Sequence, residues 1–190
     1  MAGEEEPSAY AIKAEDVVAS ARIATNGNSV AMYDFEKAAY KFSSERRRLI
    51  LELLDIFSDT SSANLNQCSA AFYLGGMRAR EAADGLATKI ALKFNPNGFI
   101  IHGLPLLSEY PAMDALIEIG SPSIPPLIRN LKESDDIQVR ESSLKSLYRV
   151  EGDKDIAQTR LQNALKAEVD PQKQARLQKA MRALTAPSFH

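Results

Sequence analysis

Apolar residues recur along this chain at spacings of three and four, and alternation with period two is almost absent. Side chains on a helix return to one face about every 3.6 residues, so the pattern predicts amphipathic helices nearly throughout. A loose tail over residues 1–12 precedes a single helical domain over 13–185, and 186–190 form a second tail. Within the domain the first segment runs over about 14–24, "TNGN" at 25–28 turns the chain, and a second helix extends to about Phe42. "SSERRRLILELLDIFSD" opens the next, with Ser43 or Ser44 as N-cap and Leu49, Ile50, Leu53, Leu54 and Phe57 on one stripe. Two short helical runs then meet near Gly75 and Gly76. The remainder reads as helices joined by breaks of a few residues, which favour antiparallel hairpins. Pro125 and Pro126 stand early in one of these helices and Asp170–Pro171 starts the last, where a missing N–H costs least.

Three segments align without gaps over thirteen residues: "NQCSAAFYLGGMR" from Asn66, "SEYPAMDALIEIG" from Ser108 and "VRESSLKSLYRVE" from Val139. Their fifth and sixth places are small or apolar, and the ninth and twelfth are apolar in all three: Leu74 and Met77, Leu116 and Ile119, Leu147 and Val150. Each leading helix is followed by a turn and a second helix. A helical pair of this kind has two apolar sides and buries both only by stacking on neighbours.

The residues "ALIEIGSPSIPPLIRNLKESDDIQVRESSLKSLYRV" resemble the HEAT repeat, in particular the HEAT-like type of phycobilisome lyases. The likeness rests on Leu116 to Gly120, the Pro-Leu-Ile helix start, and the acidic turn Asp135, Asp136 leading to Val139 and Arg140; "AAFYLGGMRAREAADGL" matches as well. It covers about residues 64–184. The resemblance implies an all-α protein, an α-solenoid of four to five HEAT-like hairpins in an armadillo-like superhelix. Gln67 and Glu109 stand where Arg140 stands in its own repeat, so an Asp-to-Arg pairing between units is not expected elsewhere.

The spacing from Leu74 to Leu116 exceeds that from Leu116 to Leu147 by about eleven residues, which fall inside "KFNPNGFIIHGLPLLSEYP". "NPNG" is a turn signal, and a small β-hairpin insertion near 91–103 fits it. Phe99, Ile100, Ile101 and His102 are its candidate contact residues, packing on the array or meeting a partner.

Composition narrows the chemistry. The 190 residues are 45% apolar and 25% charged with a net charge of -2, which gives no global field for a polyanion. Two histidines, one of them the last residue, and a single cysteine leave no set for a metal, and no cofactor is implied. His102 reads as a loop-fixing residue rather than a general base, and Cys68, beside Ala70 and Ala71, as a buried small hydrophobe. No phosphate-binding loop, dinucleotide fingerprint or nucleophile elbow occurs. The chain therefore reads as a non-enzyme. The acidic start lacks the pattern of an export leader, and no apolar run approaches a membrane span, so the default compartment is the cytoplasm, with an exported mature form still open.

The leading reading is a protein-protein or peptide interaction scaffold that binds along a concave face made by the second helix of each unit. Its candidate positions are Gln67, Tyr73, Glu141, Lys145, Tyr148 and Arg149, with Gln172 and Arg176 on the last helix. Phe72 and Tyr73 are adjacent and cannot share a helix face, so one of them is accessible. Two alternatives stay open: a lyase-like or accessory role on a bound cofactor, implied by the resemblance alone, and nucleic-acid binding through the arginines at 46–48 and 78–80. Oligomeric state and partner identity are not legible.

Overall fold

A computed structural model gives the fold and describes Ala19, Ala21, Arg22, Thr25 and residues 45–94 and 107–187. Among the described residues every regular element is helical. Eight α-helices follow in order: α1 (Arg46–Ser58), α2 (Asn64–Gly76), α3 (Ala83–Thr88), α4 (Pro111–Ile119), α5 (Ile124–Glu133), α6 (Ile137–Glu151), α7 (Lys154–Ala167) and α8 (Pro171–Thr185). One-turn 3₁₀ segments, Arg80–Ala82 and Ser121–Ser123, lead into α3 and α5.

Local chemistry sets several of these boundaries. Asp136, Asp153 and Asp170 each accept a backbone N–H of the first turn that follows, which satisfies donors a helix start leaves without intrahelical partners. Gly152 ends α6 in the left-handed region, at φ 69°, and its N–H donates to the Tyr148 carbonyl at 2.9 Å.

The three aligned segments become α2, α4 and α6, and burial repeats in their common register. The fifth place (Ala70, Ala112, Ser143), the eighth (Tyr73, Ala115, Ser146) and the ninth (Leu74, Leu116, Leu147) are buried in all three. The twelfth is buried at Ile119 and half-buried at Met77 and Val150. These helices pack in succession, α2 on α4 and α4 on α6. A second row runs α1, α3, α5, α8. Buried apolar residues from Ala21 to Leu184 form one continuous core between the rows. Where α2 meets α4 the backbones touch: a Cβ on Gly75 would lie 2.7 Å from Ala115 Cα, a position no side chain can take without moving backbone.

The pairing of helices differs from the sequence expectation. Extensive packing joins α1 with α2, α3 with α4, α5 with α6 and α7 with α8. The pairs expected as hairpins, α2 with α3 and α4 with α5, are joined instead by the tight 3₁₀ segments, which send the chain from one row to the other. Ser123, fully buried, holds the second of these corners by donating its hydroxyl to the Leu116 carbonyl at 2.8 Å.

The fourth place in the second row also departs from the expected order. It is taken by α8, which packs on α5, while α7 packs on α6 and α8. Arg176 holds α8 there: its guanidinium donates to the carbonyls of Lys132 and Ser134, both at 3.1 Å, and pairs with Asp135. Arg140 donates to the carbonyls of Ser134 and Asp135 in the same turn, at 2.7 and 2.9 Å. Two arginines thus satisfy the carbonyl end of α5, where the helix dipole favours cations.

Candidate interaction surface

Six of the eight candidate residues lie, as the aligned segments place them, on the leading helices of the first row, Gln67 and Tyr73 on α2 and Glu141, Lys145, Tyr148 and Arg149 on α6. Two of them are not at the surface. Tyr73 is 2% exposed, and its neighbour Phe72, half-buried, is the accessible member of the pair, meeting it edge-on at 5.6 Å. Gln67 is 8% exposed because its amide has internal work: Nε2 donates to the carbonyls of Asp59 and Ser62, and Oε1 accepts from Lys89 Nζ. Lys89 also donates to the carbonyls of Phe57 and Ser58, closing the end of α1, and lies 5.5 Å over the Phe57 ring. Glu141, Lys145, Arg149 and Gln172 are exposed and Tyr148 is partly so. Arg176 is committed to the α5 turn.

Phe99, Ile100, Ile101 and His102, and the hairpin expected near 91–103, fall outside the described residues apart from positions 91–94, which form no strand. The two ends of the insertion are joined directly. The Phe94 N–H donates to the Glu109 carbonyl at 2.8 Å, and Lys93 pairs with the Glu109 carboxylate at 2.7 Å, which raises the lysine's pKa. Asn64 at the start of α2 donates to the Lys93 carbonyl at 3.0 Å.

A cleft of about 370 Å³ opens on the first-row side, between α2 and α4 and reaching α6. Phe72, Ala115 and Ile117 give it apolar walls, and Asp114, Glu118 and Arg149 stand at its rim, Arg149 at 3.9 Å from Asp114. Gly76, one helical turn beyond Phe72, also lines it, at a position where a Cβ would meet nothing within 4 Å. Of the eight candidate binding positions, only Arg149 lies here. The signal available in the sequence was Phe72 and Gly76 at a spacing of four, an aromatic beside a missing side chain. A smaller slot of about 120 Å³ between α5, α6 and α8 is lined by Ile137, Leu144, Glu141 and Arg176 among others.

The two arginine runs meet in space. Arg46, at the start of α1, donates to the Met77 carbonyl at 3.2 Å and pairs with Glu81 at 3.1 Å. Arg48 pairs with Glu45 at 2.7 Å. Arg78 stands just past α2 with φ 48°, the one non-glycine residue with positive φ among the described residues. The N–H of Arg78 donates to the Gly75 carbonyl and that of Ala79 to Leu74, the bonding of a Schellman helix end, whose left-handed position glycine normally occupies.

Reactive groups are scarce among the described residues. Cys68 is fully buried, and burial pushes its thiol up to about 11, far from thiolate chemistry at neutral pH. No group of three metal-ligating side chains occurs among them, and no helix there is long and apolar enough to cross a membrane. No family model, curated protein or solved structure matches the chain.

Proposed function

We propose that the chain is a short solenoid of HEAT-like helical pairs whose work is to hold a protein or peptide partner, without chemistry of its own. The observation that carries this reading is the cleft across α2, α4 and α6: an apolar bed with a charged rim, formed where successive first-row helices meet and Gly76 leaves out a side chain. The common burial register of those helices supports the repeat reading, because stacked units leave the same outward positions free in each copy. In this reading the binding face belongs to the first row, which carries six of the eight candidate residues, rather than to the second helix of each unit. An apolar side chain of the partner enters beside Phe72 and Ile117, while Asp114, Glu118 and Arg149 set its orientation.

Two substitutions test the assignment. Gly76→Leu fills the cleft without a clash at Cβ, and Ile117→Ser strips one wall. Affinity capture with the intact chain should recover a partner that both variants lose while keeping the wild-type circular dichroism spectrum and a cooperative melt. A partner held equally by both variants would place binding elsewhere. Turnover of a small molecule that depends on His102 would overturn the non-enzymatic reading.

A further inference from the structure

The arginines at 46–48 and 78–80 are far apart in sequence, and the Arg46 contacts to Met77 and Glu81 bring them to one surface. Segments 45–48 and 78–81 together carry five arginines and two carboxylates, Glu45 and Glu81. Each carboxylate has an arginine already, Arg48 on Glu45 and Arg46 on Glu81. Arg47, Arg78 and Arg80 are exposed, and among the described residues none of the three forms a salt bridge, although the charge of Arg80 also acts on Glu81. The patch therefore keeps a surplus of positive charge on a chain whose net charge is -2.

Two features of this patch are unfavourable for the fold, and both place cations there. Helix α1 opens with three consecutive arginines and no acidic residue in its first turn, although the dipole disfavours cations at that end. Arg78 holds a left-handed backbone that glycine would adopt without strain. Local choices that oppose the fold while converging on one chemical property mark a place shaped by binding.

We infer that this patch binds a phosphate monoester carried by a peptide segment of a partner protein. A guanidinium group presents paired N–H donors that match two phosphate oxygens, and clusters of arginine recognise phosphorylated segments in this way. Arg47, Arg78 and Arg80 are the groups we assign to a single dianion. A continuous nucleic-acid backbone would also have to pass Glu45 and Glu81, which repel it. The inference extends partner binding to a second surface, and the Ile117→Ser variant keeps the two separable.

The test uses the full chain and two randomised peptide libraries that differ only in a fixed central phosphoserine or serine, followed by fluorescence polarisation on the enriched sequences. The phosphoserine library should enrich and the serine library should not. Arg47→Ala, Arg78→Gly and Arg80→Ala should each weaken binding about tenfold, and Ile117→Ser should leave it unchanged. Arg78→Gly carries the decisive signature: affinity falls while the melting temperature rises, because the substitution relieves strain as it removes the charge. A structural role alone would not move affinity and stability in opposite directions. Equal enrichment of both libraries would overturn the proposal. So would tighter binding to a single-stranded oligonucleotide, or to phosphatidylserine-containing vesicles, than to the phosphopeptides.

Discussion

Gly75 and Gly76 are chemically identical neighbours at the end of α2, yet the structure gives them opposite constraints. At Gly75 the Cα of Ala115 stands where a methyl group would go, and backbone cannot step aside as the end of a side chain can. Gly75→Ala should therefore destabilise the fold by about 1–3 kcal/mol through overpacking. Gly76→Ala, placed in open space, should be neutral or raise stability by up to about 1 kcal/mol, the helix-propensity gain alone. Thermal melts of the two variants compare them directly, and equal effects would refute the close approach of α2 and α4. The sequence showed a glycine pair and a helix end nearby, but the pair's unequal roles depend on a neighbour forty residues away. The same holds for Gln67 and Tyr73, polar or amphipathic side chains that read as surface until their partners across the corner are known.

Among the elements, α8 joins its buried Leu177, Ala180 and Leu184 to one polar anchor, Arg176. Arg176 replaces the missing hydrogen bonds at the carbonyl end of α5, and α8 carries it there. Arg176→Ala removes charge-assisted bonds of about 1.5–3 kcal/mol each, not additive, and leaves the Lys132 carbonyl short of a donor, while the Ser134 carbonyl keeps Arg140. Hydrogen exchange should then show α8 and the end of α5 losing protection while α2 and α4 keep theirs. Uniform loss across all helices would show instead that α8 is not a separable unit. The helices themselves were legible, because an apolar stripe at helical spacing survives any arrangement of neighbours. The aspartate before Pro171 likewise announced the start of α8, and Asp170 does accept the Gln172 and Lys173 N–H groups. Which helix lies on which was less legible. Short connections suggested simple hairpins, whereas the one-turn 3₁₀ corners at residues 80–82 and 121–123 carry the chain between rows and shift the close pairings by one helix.

Across the described residues, exposed carboxylates fixed by short-range donors make a small, screened contribution to stability that is lost in acid. Asp59 is held below its ordinary range by the hydroxyl and N–H of Ser61 and by Ser62. Glu81 is lowered by its own backbone N–H and then by Arg46 and Arg80, and Glu168 by Lys132 and the N–H groups of Asp170 and Val169. Unfolding returns each to about 3.9 for aspartate or 4.3 for glutamate. Between the folded and unfolded values the unfolded chain binds more protons, so the contribution is fully present at neutral pH and is lost as pH falls through the lowered folded values. The melting temperature should stay level from pH 7 to about 5 and decline below about 4.5; a decline beginning near pH 6.5 would point to a different titrating group.

The joined feet of the insertion carry a consequence for the molecule as a covalent object. Phe94 and Glu109 are hydrogen-bonded across the base, so the backbone arrives and departs at one point while α1, α2 and α3 lie on one side of the gap and α4 to α8 on the other. The contacts of α2 and α3 with α4, and of α3 with α5, do not depend on the peptide bonds between 94 and 107. Among the described residues the two halves share a single core, and a chain severed there keeps the helix surfaces of α2 and α3 that meet α4 and α5.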